Sequence, residues 1–148
     1  MLDPREALLI LVRWSHAAAA VVLVGGSTFY LLVLAPSLTQ ISPAAEPVRK
    51  GVDSSFKEVL DLSAFVLLVS GGLLVFERMS GGAASTVYVI VLGVKVVLSL
   101  LVYRLALLVR RGSGWQSREA VLMVGAGFLV VFLATVLKTL YEAGLRAA

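Results

Sequence analysis

The chain has 148 residues, of which 59% are hydrophobic and only 15% charged, with a formal net charge of +4. That balance excludes an ordinary soluble domain, where about 25% of residues are charged, and the lack of cysteine excludes disulfides, thiolate metal sites and c-type haem attachment. The small positive excess gathers in joints beside apolar stretches, where it sets membrane topology and does not point to nucleic acid.

Four apolar stretches, 7–35, 59–76, 86–109 and 120–141, each approach or exceed the ~20 residues that cross a hydrocarbon core as a helix. They lack the alternation of a β-barrel strand, so the fold class expected is all-α: one integral membrane four-helix bundle occupying 1–148, with helices over 7–35, 57–77, 86–109 and 119–142. The first stretch exceeds the ~7–15 apolar residues of a signal peptide and is expected to be retained as a helix. After it comes the one long joint, SLTQISPAAEPVRKGVDSSFK (37–57), interrupted by Pro43 and Pro47, whose later half has the makings of a short interfacial helix. The joint ERMSGGAAS (77–85) reads as a tight glycine turn, and RRGSGWQSRE (110–119) as a basic turn with Trp115 at the interface.

Lys and Arg counts near the span ends set the expected orientation. Arg49, Lys50, Lys57, Arg104, Arg110, Arg111 and Arg118 face Arg5, Arg13, Arg78, Lys138 and Arg146 across the bilayer, which places both termini outside. Small residues recur within the helices: Gly25 and Gly26, then Ser70, Gly71 and Gly72, then Gly93, Gly125 and Gly127. They permit close helix packing in lipid, and the same missing side chains are what a flat macrocycle between helices requires.

Ionisable groups inside the spans carry the functional information, because each costs about 2.5–3.5 kcal/mol at mid-membrane on insertion scales. Arg13 and Arg104 are near enough to helix ends to snorkel. Lys138 has Glu142 at i+4, and Asp61 matches Arg104 in depth as a structural ion pair. Lys95 is different: about nine residues into its helix, it is ~14 Å deep. His16, the only histidine, is equally deep on the first helix, with Arg13 one turn before it.

Imidazole, buried amine and nearby cation are what haem b needs: His16 as axial ligand, Lys95 as second ligand through a neutral amine or as a proton-handling neighbour, Gly25, Gly26, Gly71 or Gly72 as the slot, and Arg13, Arg78 or Lys138 at the propionates. A helix-to-helix hydrogen bond is the plainer role for a membrane histidine. Copper is the competing metal at His16, but it draws on clustered Met, Cys and His, and this chain offers Met1, Met79, Met123 and one histidine. No Ser/His/acid set, zinc motif or phosphate loop is legible, and Ser15 lies on a different helix face from His16.

RWSHAAAAVVLVGGSTFYLLVLAPSL (13–38), FKEVLDLSAFVLLVSGGLLVFE (56–77) and LGVKVVLSLLVYRLALLVRR (92–111) together resemble the membrane domain of the copper-resistance D (CopD-like) family: a histidine, a glycine pair and a closing proline, Pro36, then a glycine-bearing second helix and a third with a mid-helix lysine. The resemblance implies a polytopic bacterial inner-membrane protein associated with copper uptake, with His16 and Lys95 as the matching polar positions. The chain is also similar to small four-helix protoporphyrinogen oxidases of the HemJ type, where a first-helix histidine and third-helix lysine serve haem and activity. Gly25, Gly26 and Ser27 stand where that type carries a tryptophan- and arginine-containing signature. The expected function is electron transfer with haem b, as a homo-oligomer or a subunit of a larger membrane redox complex and not as a stand-alone enzyme; copper import and a non-catalytic structural subunit are the alternatives.

Overall fold

The computed structural model describes residues 3–40, 46–80, 86–109 and 117–147, and every element among them is helical. Helix α1 runs Pro4–Phe29, passes through a π-helical turn, Tyr30–Leu34, and continues as the short α2, Ala35–Thr39; α3 spans Glu46–Ser80, α4 Thr86–Leu108 and α5 Arg118–Ala147. Four stretches are long and apolar enough to cross a membrane: Pro4–Leu38, Glu46–Ser80, Thr86–Leu108 and Arg118–Leu140. The chain is thus an all-α, multi-pass membrane protein, as its apolar runs predict. The expected turns around Pro43, at 81–85 and around Trp115 lie outside the described residues. The chain divides into two compact units, Met1–Phe76 and Glu77–Ala148.

In the first unit, α1 opens with Pro4 in its first turn, where a missing N–H breaks no helical bond, and the Asp3 N–H donates to the Glu6 carboxylate at 3.4 Å. Farther on, Pro36 has no N–H to give the carbonyl four residues back, and its ring crowds that carbonyl. The preceding turn widens accordingly: the Ala35 N–H donates to Tyr30 O, five residues back.

Helix α3 differs from the reading of the sequence. A span over 57–77 preceded by a separate short helix is expected, yet the helix is continuous from Glu46. Pro47 falls in its first turn, and Glu46 bridges to Arg49 at 2.7 Å and to Lys50 at 3.9 Å, so pairs three and four residues apart support the polar end.

Two contacts fix how α1 and α3 pair. His16 Nδ1 is 2.8 Å from Ser70 Oγ, and Tyr30 stacks on Phe56 with ring centroids 4.6 Å apart. The separation in sequence is the same on each helix, from 16 to 30 and from 56 to 70, about 21 Å of rise, so the helices run antiparallel and in step. In that register the apolar 59–76 of α3 is level with 10–27 of α1, a slab about 27 Å thick, close to a hydrocarbon core of about 30 Å. His16 lies about 4 Å from its middle. The Tyr30–Phe56 stack stands just beyond the slab, at the level where aromatic belts form, and Gly26 faces the Phe56 ring, which a Cβ there would meet at 3.5 Å.

In the second unit α4 and α5 pack on each other. Tyr88, Val102 and Leu105 of α4 and Ala120, Met123 and Leu137 of α5 are buried. Lys138 reaches Glu142 at 3.9 Å, the exposed pair expected from their spacing. Large apolar side chains such as Val21, Phe76 and Val97 stay exposed, which suits helix faces turned to acyl chains.

Candidate functional site

The site is built around His16, half-buried on α1. Its partner is Ser70, 5% exposed, on the facing side of α3. Ser70 carries one proton, and its Oγ donates that proton to Val66 O at 2.5 Å. At the 2.8 Å contact with His16 the hydroxyl therefore acts as acceptor, and His16 Nδ1–H donates to it. Assigned from this network, the imidazole carries a proton on Nδ1. The resulting chain, Nδ1–H to Ser70 Oγ–H to Val66 O, ends on a backbone carbonyl in the middle of an apolar helix.

The ring needs Gly71 beside it. A Cβ on Gly71 would come 3.3 Å from His16 Cε1, closer than ordinary packing, so the absent side chain is what seats the imidazole against α3. Of the other glycines expected to form a slot, Gly26 is filled by the Phe56 ring, while Gly25 and Gly72 are exposed and a Cβ on either would meet nothing within 4 Å. Within the first unit, then, Gly26 and Gly71 serve contacts between α1 and α3, and Gly25 and Gly72 border open space.

Arg13 is exposed one turn before His16, toward the outer edge of the slab. Lys95 is half-buried in the interior of α4 and forms no ion pair among the described residues; it belongs to the second unit, and His16 to the first. Asp61 and Arg104 are likewise divided between the units, Asp61 half-buried and Arg104 exposed. For copper, Met79 is exposed, Met123 is buried, and Met1 lies outside the described residues. Among the described residues no three His, Cys, Asp or Glu side chains come together as a metal-holding group.

Sequence reasoning missed two side chains. Ser70 reads only as part of a small-residue run, although the register needed to place it opposite His16 follows from centring 59–76 on the apolar part of α1. Ser27 is 1% exposed, and its hydroxyl has no hydrogen-bond partner among the described residues.

A serine beside an imidazole raises the question of nucleophilic chemistry, and the geometry answers against it. The Ser70 hydroxyl donates to Val66 O and not to the imidazole, and the mid-helix amides near it are engaged in helical bonds, leaving no oxyanion donors among the described residues of α3. What the arrangement does supply is an imidazole held in place through Nδ1. A ligating histidine commonly donates its other ring N–H in this way.

No family model matches the chain, and neither a curated protein nor a solved structure does.

Proposed function

We propose that this chain is a CopD-like protein of the bacterial inner membrane that holds haem b through Nε2 of His16 and serves electron transfer within a larger membrane complex or a homo-oligomer. The observation that carries the reading is the 2.8 Å contact of His16 Nδ1 with Ser70 Oγ near the middle of the apolar slab, the kind of bond by which a ligating histidine is commonly held. Haem, when bound, supplies a one-electron carrier. Arg13 offers a cation one turn nearer the membrane surface for a propionate. Excess Lys and Arg in and beside the 37–57 and 110–119 joints favours both termini outside.

The same hydrogen bond favours a second reading, in which His16 is only a clamp between α1 and α3 in a non-catalytic subunit. Purified protein separates the two. The haem reading predicts about one haem b per chain by pyridine haemochrome assay, lost in His16→Ala; the clamp reading predicts no haem and a variant altered only in stability or association. Copper in the preparation with no Soret band would replace both with the copper-import reading.

A further inference from the structure

We propose that Lys95 is an assembly site, at which the ammonium pairs with an Asp or Glu side chain presented at mid-membrane depth by a transmembrane helix of a different protein. Helix α4 is 23 residues long, about 34 Å, and Lys95 stands ~14 Å from one end and ~20 Å from the other. A lysine stem of ~6 Å brings its charge to neither surface. The side chain is half-buried, and its ammonium has no ion pair or hydrogen bond among the described residues. One turn on, Ser99 gives its hydroxyl proton to the Lys95 carbonyl oxygen at 2.8 Å and offers the ammonium no counter-charge. A cation left so in hydrocarbon is costly, and such groups are kept where a partner meets them.

The place of Lys95 on α4 points to a helix as that partner. Tyr88 and Val102, seven residues before and after it, are both buried, and positions seven apart drift by only ~20° around a helix. Lys95 therefore interrupts the packed stripe of α4, and a single lysine at such a seam position specifies which helices assemble, at a cost in stability. Helix α5, which packs on α4, has no acid between Ala120 and Tyr141. A second copy supplies none at this depth either. Of the chain's nine acids only Asp61 lies within an apolar stretch, two residues from its end and ~3 Å deep. The carboxylate that answers Lys95 thus belongs to another protein. This assignment stands whether or not His16 holds haem, and it names the contact through which the chain joins a larger membrane complex.

The test uses the full chain in nanodiscs and a synthetic leucine-rich helix of ~20 residues, long enough to span, with one Glu at its middle. The controls are the same peptide with Leu at that position and one with the Glu moved two turns toward an end. The central-Glu peptide should bind wild type about 10-fold more tightly than either control. Lys95→Met, which removes only a charge from an apolar stripe, should bind all three alike. Equal binding of the central-Glu and Leu peptides by wild type overturns the inference, and so does a preference that survives Lys95→Met. In native membranes the chain should run on native gels in a complex heavier than its own oligomers, retained in Lys95→Arg and lost in Lys95→Met. A Lys95→Met chain that keeps the wild-type assembly, or a wild-type chain that assembles only with itself, overturns the inference as well.

Discussion

A histidine in hydrocarbon has two ring nitrogens to satisfy, and hydrogen bonds between membrane helices contribute about 0.6–2 kcal/mol each. His16 bonds to Ser70 through Nδ1 and leans its ring on Gly71. The two glycines of α3 should therefore behave oppositely. Gly71→Ala places a Cβ 3.3 Å from Cε1, so the ring must give by a few tenths of an ångström against its bond to Ser70, and stability should fall by up to ~1 kcal/mol, the scale of that bond. Gly72→Ala meets nothing and should be neutral or stabilising by up to ~1 kcal/mol through helix propensity, both read by thermal unfolding in detergent. Ser27 gives a third prediction at this scale: Ser27→Ala removes a buried hydroxyl with no partner among the described residues and should raise stability by about 1–3 kcal/mol, whereas a fall would show that a group not yet seen bonds to it. None of this was legible from residue types alone. Ser70 and Gly71 look like any small pair in a membrane helix until the register between α1 and α3 is known, and that register depends on contacts far apart in sequence.

At the scale of elements, the spans themselves were legible because an apolar run of sufficient length has few alternatives in lipid. The length of α3 was not. Hydropathy sees the charged 46–58 as a joint, but nothing in that segment opposes a helix: Pro47 sits in the first turn, and Glu46 pairs with Arg49 and Lys50. The π-helical turn at Tyr30–Leu34 was also hidden, although Pro36 signals some local adjustment of the turn before it. The pairing of α1 with α3 leans on the stack of Tyr30, 2% exposed, against Phe56. Phe56→Ala should cost about 1–3 kcal/mol through lost burial and ring contact. Phe65→Ala, on an exposed face of the same helix, should cost much less, and chemical denaturation of the two variants side by side checks the difference.

For the whole molecule, four helices are long and apolar enough to cross a membrane, and the proposed topology has each of them crossing once, with both termini on one face. The proposed orientation, with the first and third joints in the cytoplasm, follows the excess of Lys and Arg beside them. Because the chain has no cysteine, single cysteines at Ser54 and near either terminus give a clean accessibility test: an impermeant thiol reagent on intact cells should label the termini and spare position 54. The opposite pattern would invert the orientation while leaving the helices as they are. The most direct measurement of the central claim is chemical rescue at the single histidine. His16→Gly protein, purified without haem, should bind added haem b weakly and without a b-type reduced-minus-oxidised spectrum, and millimolar imidazole should restore that spectrum by entering the space the side chain leaves. A His16→Gly protein with an unchanged b-type spectrum before any imidazole is added would contradict ligation by His16.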